Sequence, residues 1–254
     1  MLALLTDSRP YRRVDAAGAT LSQSKPRFLP IRHLRTSIPW PSTIEQPTVI
    51  IRPGIKALAH SLSISNDLAN VLDAMSSLTA FMETPRHGTT MTRDIAYFDD
   101  ERASIEDRIL TMAGEEEKPQ GVSYTENVQE PCRLVALIYA NMVFRELLPS
   151  SATHTTLISR LRTTLMQGNL MSSWGFLSEA LLWVLFMGGA VAQRDSIRSW
   201  FVSVLTMVCT QLKIQSWHDI KEVLLKYLWC DRIWEERCKN LWLEVDYSRH
   251  YLIS

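Results

Sequence analysis

The sequence predicts an all-α protein: an irregular bundle of several helices with a proline-rich, basic and poorly ordered N-terminal arm. Three observations predict this class. Apolar residues recur every three to four positions from about residue 65 onward, as in amphipathic helices. Seven of the 11 prolines fall within the first 53 residues. Only the short run 47–52 has the composition of a strand.

Residues 1–52 are predicted to form an extended or disordered arm, because proline has no N–H to donate and disfavours helical backbone in the residue before it. Residues 1–60 hold nine basic and three acidic side chains, whereas residues 94–130 hold eleven acidic and three basic ones. The formal net charge of zero is therefore a sum that includes a basic segment and an acidic segment. The arm could contact nucleic acid non-specifically, and a solvated tail explains the same charge.

Residues 53–254 are predicted to form the helical domain, with a charged loop near 113–130. Asn66 and Asp67 can cap a first helix. Its apolar face would comprise Leu68, Val71, Leu72, Met75, Leu78 and Met82. A second helix would place residues 99–101, all acidic, at its positive N-terminal end. Its apolar face would comprise Ile105, Ile109 and Met112, with Gly114 ending the helix.

Two later stretches are apolar on nearly all sides, which is typical of helices at the centre of a bundle. They are residues 132–148 and 176–192. The pair Gly188-Gly189 in the second stretch indicates either a close approach between helices or a kink. Residues 176–192 reach the lower limit for a membrane span, about 17 residues. Because the stretch contains Glu179, we expect a buried core helix, with membrane insertion as the alternative.

The C-terminal part predicts three more helices. The first has one apolar face, formed by Ile197, Trp200, Phe201, Val204, Leu205, Val208 and Leu212. Ser216 and Asp219 have the spacing of a capping box at the start of the next helix. The last helix would bury Trp234, Cys238, Leu241, Trp242 and Val245 on one side. Tryptophans within such faces are normally core residues, and stacking on bases is the alternative reading for residues 229–239.

Active-site motifs are missing from the sequence. It contains no phosphate-binding glycine loop, no nucleophile elbow and no zinc-binding helix motif. Cys230, Cys238, His218 and His250 could supply metal ligands, but the two cysteines are spaced too widely for a structural zinc site. The cysteines are therefore expected to be buried free thiols of a protein in a reducing compartment.

No catalytic residue, cofactor or metal is assigned from the sequence. Glu179 is the candidate for a buried polar site, since it lies within an otherwise apolar helix. A buried carboxylate needs a partner or a raised pKa. Glu179 is thus the residue that an enzyme or a small-molecule binder with an unfamiliar helical site would use.

Six segments in the second half resemble, in order and spacing, the C-terminal helical domain of fungal zinc-cluster transcription regulators. They are CRLVALIY (132–139), LLWVLFMGG (181–189), RSWFV (198–202), WHDIKEVL (217–224), LWCD (228–231) and LW (241–242). The resemblance implies an all-helical regulatory domain of a nuclear protein that controls transcription. Residues 52–112 look like the looser upstream part of the same domain.

The chain departs from that family in one respect. Family members read DNA through a separate N-terminal module in which six cysteines hold two zinc ions, and residues 1–60 contain no cysteine. We therefore expect no sequence-specific DNA contact. The expected partners are other transcription regulators, a second copy of the chain or a small-molecule effector, and no membrane. The nucleus is the expected location, with the cytoplasm as the alternative. The alternative that the chain is a truncated fragment of a larger transcription factor stays open.

Overall fold

The computed structural model describes residues 52–61, 63–84, 91–112, 126–167, 170–193 and 195–253. Helices make up most of these ranges, and no strand occurs within them. The predicted all-α class is confirmed. Residues 1–51 of the arm and residues 113–125 of the expected loop lie outside the described ranges. Residues 126–130, the end of that expected loop, are helical.

The described helices follow one another along the chain. In chain order they are α1 (Pro53–His60), α2 (Asn66–Glu83), α3 (Met91–Met112), α4 (Glu126–Tyr139), α5 (Ala152–Met166), α6 (Leu170–Trp174), α7 (Ser178–Val191), α8 (Asp195–Gln211), α9 (Trp217–Leu224) and α10 (Asp231–Ile253). A π-helix, Ala140–Phe144, continues α4, and a 3-10 helix, Gly175–Leu177, precedes α7. The described residues fall into two compact units, one with residues 91–112 and the other with residues 52–84 and 126–253.

Helix α3 is the described part of the first unit. It begins at Met91, so residues 99–101 lie in its middle and not at its N-terminal end, where we expected them. Asp99 instead pairs with Arg102, with 2.9 Å between Oδ1 and Nη2. The expected end of the helix at Gly114 lies outside the described residues. The buried apolar residues of α3 include Ile105, Ile109 and Leu110.

The second unit begins with α1 and α2, which pack against each other. The cap of α2 is Ser65, one residue before the expected cap, because the extended backbone of Ser65 lets its Oγ accept the N–H of Leu68 at 3.2 Å. The predicted apolar face is buried as expected at Leu68, Val71, Leu72, Met75 and Leu78.

Helix α4 differs from the predicted helix 132–148 at both ends. It begins at Glu126, so that Pro131 lies inside the helix although proline cannot donate a backbone hydrogen bond there. Its π-helical continuation ends at Phe144. The chain then turns at Glu146, whose φ of 51° lies in the left-handed region. Leu148, which we expected inside the helix, is consequently exposed.

Helix α7 is the central element of the second unit. It contacts α4, α5, α8, α9 and α10. Every residue from Ala180 to Val191 is buried. The stretch Ser172–Val191 has the length and hydropathy of a membrane span, but 78% of its most apolar window is buried inside the protein. The prediction of a buried core helix is confirmed.

The glycine pair of α7 permits close approach. A Cβ atom on Gly188 would lie 2.7 Å from Cδ2 of Leu161 in α5, and one on Gly189 would lie 2.8 Å from Cδ2 of Leu241 in α10. Real side chains do not tolerate such distances. Of the two expected roles of this pair, the structure therefore supports close approach: side chains of α5 and α10 pack directly on the backbone of α7.

Candidate interaction surface

An open groove of about 540 Å³ lies between α8 and α10. Its walls are Ser199, Val202 and Ser203 of α8 and Leu243, Glu244, Tyr247 and Ser248 of α10. Two of these residues expose much apolar surface to solvent, Leu243 at 57% and Tyr247 at 63%. Exposed apolar side chains beside a concavity are typical of surfaces that bind another molecule.

The amphipathic pattern of the two helices positions this groove. The apolar faces of α8 and α10 point into the core through Phe201, Leu205, Trp234, Leu241 and Val245, all buried. The groove lies on the solvent side of the two helices. There the small side chains Ser199 and Ser203 on α8 leave a depression beside the larger Leu243 and Tyr247 on α10.

An ion pair holds the two helices together at the groove. The Arg198 guanidinium donates from Nη2 to Oε1 of Glu244 at 2.7 Å and from Nε to Oε2 at 3.1 Å. Its Nη1 also donates to the carbonyl oxygen of Gly189 near the C-terminal end of α7. Arg198 therefore links α7, α8 and α10, and its charge is favourable beside the negative end of α7.

Sequence reasoning did not single out Leu243 and Tyr247 as surface residues. The stronger apolar pattern of α10, formed by Trp234, Cys238, Leu241, Trp242 and Val245, predicts only the buried face of this helix. The signal that could have found them is a second, shorter apolar stripe on the side of α10 opposite to Trp234 and Leu241. A helix with two apolar stripes needs more than one covering surface.

Glu179 does not form the buried site that we expected. It lies in the first turn of α7, and 44% of its side-chain surface is exposed. Both of its carboxylate oxygens accept hydrogen bonds from Nζ of Lys226, at 2.7 and 2.9 Å. The expectation of a buried carboxylate is wrong because the apolar character of α7 begins one residue later, at Ala180.

A buried charge cluster joins α4 to α5. Glu130 accepts a two-point hydrogen bond from Arg133, with Nε–Oε2 at 2.6 Å and Nη2–Oε1 at 2.8 Å. Arg160 of α5 lies 3.0 Å from Oε1 of the same carboxylate. Only 1% of the Arg133 side chain is exposed. Because each charge faces an opposite one, the cluster is suited to fixing the position of α5 on α4.

The loop that follows the π-helix contacts a buried histidine of α5. Nδ1 of His154 lies 2.9 Å from the carbonyl oxygen of Leu148 and 3.0 Å from Oγ of Ser151. The carbonyl can only accept, so the ring proton is on Nδ1. Burial lowers the pKa of His154, although the backbone carbonyls around it act in the opposite direction. The imidazole is neutral and ties the loop after the π-helix to α5.

The four cysteines are all free and buried, as predicted. Burial raises the pKa of each thiol, to about 11 for Cys230 and about 12 for Cys209. A thiol needs to ionise before it can attack a substrate or bind a metal. These side chains are therefore suited to packing.

The structure does not bring the four candidate metal ligands together. Cys230 and Cys238 are buried, whereas His218 and His250 expose most of their side chains to solvent. His218 lies 3.4 Å from Glu222 on its own helix. Within the part of the chain that the structure describes, no group of His, Cys, Asp and Glu residues has metal-binding geometry.

Most of the tryptophans are core residues. Trp174, Trp183, Trp229, Trp234 and Trp242 are all buried. Trp183 stacks on Tyr227 with ring centres 5.1 Å apart, and Trp234 stacks on Tyr139 at 6.0 Å. Because Trp229 and Trp234 have no exposed face, neither can stack on a nucleic-acid base, and the alternative reading for residues 229–239 is wrong at both positions.

Comparison with known proteins gives one match. The sequence model of a family described as a fungal specific transcription factor domain matches residues 20–250. No curated protein and no solved structure matches the chain. The matched range includes all six segments that carry the resemblance and all the residues that line the groove.

Proposed function

Since the chain belongs to the family of fungal specific transcription factor domains, we propose that it acts in the nucleus as a regulatory domain that binds other proteins. The family match confirms the resemblance and supports a role in controlling transcription. The groove between α8 and α10 is the single observation that carries the proposed mode of action. It is the binding surface that we assign to this domain.

The groove fits a protein partner better than an enclosed ligand. It is open to solvent, and its exposed apolar residues, Leu243 and Tyr247, are flanked by the charged Glu244 and by serines. An apolar centre with a polar rim is typical of protein interfaces. Its volume also lies within the range of small-molecule sites, about 300 to 1,000 Å³. A small-molecule effector is therefore the second candidate ligand.

An enzymatic role gains little support from the geometry. The matched family is a transcription factor domain and not an enzyme family. Glu179 is engaged by Lys226, and the proton on Nδ1 of His154 is held by a backbone carbonyl. The thiols have raised pKa values. Catalysis would need a poised base or nucleophile, and these candidate side chains are committed to packing or to ion pairs.

We also propose that the chain does not read a specific DNA sequence by itself. The support is that the four cysteines are free and buried and that residues 1–60 contain none. Selection from a pool of random duplexes with the purified chain tests this point. We expect no sequence to be enriched over the starting pool. Enrichment of one sequence would contradict this part of the proposal.

The regulatory role is tested by tethering the chain to an unrelated DNA-binding module upstream of a reporter gene in fungal cells. We expect reporter expression to change several-fold, and the change to be lost with Leu243→Asp together with Tyr247→Asp. Met207→Asp is the matched control, because Met207 is similarly exposed on α8 but does not line the groove. An unchanged reporter, or equal effects of the groove and control variants, would contradict the proposal.

A further inference from the structure

Two buried polar side chains beside the π-helix each have an atom without a hydrogen-bond partner among the residues that the structure describes. The atoms are Nδ2 of Asn141, a residue that is 4% exposed, and Nε2 of His154, which is fully buried. Buried polar atoms in proteins are almost always hydrogen-bonded, either to the protein or to ordered water. Because the ring proton of His154 is on Nδ1, its Nε2 accepts, whereas Nδ2 of Asn141 donates. The pair therefore offers one acceptor and one donor.

The loop after the π-helix brings these two residues to the same place. The carbonyl oxygen of Asn141 accepts the N–H of Leu147 at 2.9 Å, and Nδ1 of His154 lies 2.9 Å from the carbonyl oxygen of Leu148. Consecutive Cα atoms such as those of Leu147 and Leu148 are about 3.8 Å apart. Burial lowers the pKa of His154, and the carbonyls of Leu148 and Ile138 oppose it. The imidazole therefore lies against the turn that runs from Ile138 to Asn141.

The backbone hydrogen bonds widen at this turn. The N–H of Arg145 donates to the carbonyl of Ala140, five residues back, at 3.1 Å, and the N–H of Leu147 donates to the carbonyl of Asn141, six residues back. The hydrogen bonds of an α-helix reach only four residues back. Helices depart from that ladder at π-bulges and where a side chain or a water molecule enters it. The widened turn thus lies beside the two unpartnered polar atoms.

We infer that one buried water molecule binds between Asn141 and His154 and joins the π-helix to the first turn of α5. It donates one hydrogen to Nε2 of His154, accepts one from Nδ2 of Asn141 and donates its other hydrogen to the carbonyl oxygen of Ile138. Buried water molecules typically make about three hydrogen bonds to groups that otherwise lack a partner. A direct bond from Nδ2 to Nε2 would make the water unnecessary, but the two atoms do not have hydrogen-bonding geometry.

A crystal structure of the full chain and water-selective NMR spectroscopy in solution test the inference. In the crystal we expect one oxygen peak within about 3.2 Å of both Nδ2 of Asn141 and Nε2 of His154. In solution we expect a nuclear Overhauser cross-peak between water and the ring C–H protons next to Nε2 of His154, with the sign of a long-lived bound water.

Substitutions of Asn141 test whether its amide holds the water. Asn141→Leu keeps a similar volume and removes the donor, so we expect loss of the water cross-peak and amide hydrogen exchange at Leu147 at least about tenfold faster. Asn141→Ser keeps a polar group at the site and is expected to keep the cross-peak. Asn70→Leu, the same change at an exposed position of α2, is the control and should change neither measurement.

Three results in the crystal would overturn the inference: a direct hydrogen bond between Asn141 and His154, no oxygen peak between them, or density larger than a single oxygen atom. A water cross-peak that Asn141→Leu leaves unchanged would also overturn it. If Asn141→Leu does not fold, the crystal structure and the cross-peak of the unmodified chain decide the question.

Discussion

The backbone of Gly188 lies against the ring of Phe201, so that a Cβ atom on Gly188 would stand 2.9 Å from Cζ. Phe201 also approaches Gly189, where a Cβ atom would lie 3.1 Å from the Cβ of the phenylalanine. The ring is fully buried. This contact sets α8 directly on the backbone of the central helix, and α8 in turn forms one wall of the groove.

Gly188→Ala is therefore expected to destabilise the protein although alanine favours helix formation. The added methyl group must displace Leu161 and Phe201, and overpacking of this kind costs about 1 to 3 kcal/mol. Urea unfolding followed by circular dichroism measures the change. Thr163→Ala, at an exposed position of α5, is the control and should change the free energy of unfolding by less than about 0.5 kcal/mol. If Gly188→Ala and the unmodified protein had equal free energies of unfolding, α7 and α8 would be able to move apart at no cost in stability.

Glu130→Ala is expected to lower the free energy of unfolding by about 3 to 5 kcal/mol. It removes the carboxylate that faces both Arg133 and Arg160, and the Arg133 guanidinium is buried. The matched control is Glu146→Ala. Its pair with Arg232, at 3.0 Å, is largely exposed, so a loss of less than about 1 kcal/mol is expected. A similar loss for both variants would mean that the buried cluster contributes no more than a surface pair.

Stability is expected to fall as the pH drops below about 6.5. Burial holds the pKa of His154 below 6.5 in the folded protein, so the unfolded chain binds a proton more readily. The neutral His154 contributes fully to the free energy of unfolding at pH values above the pKa of histidine in the unfolded chain. This contribution is lost as the pH falls below that pKa. Urea unfolding at pH 7 and pH 5 should therefore show a smaller difference for His154→Gln than for the unmodified chain.

His218→Gln is the control for this pH dependence, because the His218 side chain is 81% exposed. We expect its pH dependence to match that of the unmodified chain. If His154→Gln also kept the full pH dependence, the buried imidazole would not be the group responsible.

The thiols are expected to resist modification in the native state. Cys132, Cys209, Cys230 and Cys238 are buried, and burial raises their pKa values. An aromatic disulfide reagent at pH 8 should release almost no coloured product from the native chain and four equivalents after unfolding. Rapid reaction of one native thiol would identify a reactive cysteine and contradict its assignment to packing.

Several elements could be predicted because their determinants are local. The capping box at α9 is confirmed: Oγ of Ser216 accepts the N–H of Asp219 at 3.2 Å, and Oδ2 of Asp219 accepts the N–H of Ser216 at 3.0 Å. This arrangement involves four consecutive residues. The burial of residues 180–191 was likewise predictable, since a helix apolar on all sides has no stable place at a wet surface.

Other predictions failed at positions where the local pattern was compatible with more than one structure. Asp99 was expected at a helix end because acidic residues favour that position, yet α3 begins at Met91. Glu179 was expected to be buried because its neighbours are, yet Lys226 pairs with it at the surface. In both cases the local pattern allowed more than one answer. The surrounding structure selected one of them.

The amino-acid sequence by itself determined the helical class, the caps formed by neighbouring residues, the apolar central helix and the family to which the chain belongs. These properties depend on periodicity and on residues close together in the chain. Only the tertiary structure decided that Gly188 and Gly189 serve close approach, that Glu130 is shared by two arginines, and that Leu243 and Tyr247 face solvent beside a groove. Each depends on which helix faces which, and that choice reflects packing energy summed over residues far apart in the sequence.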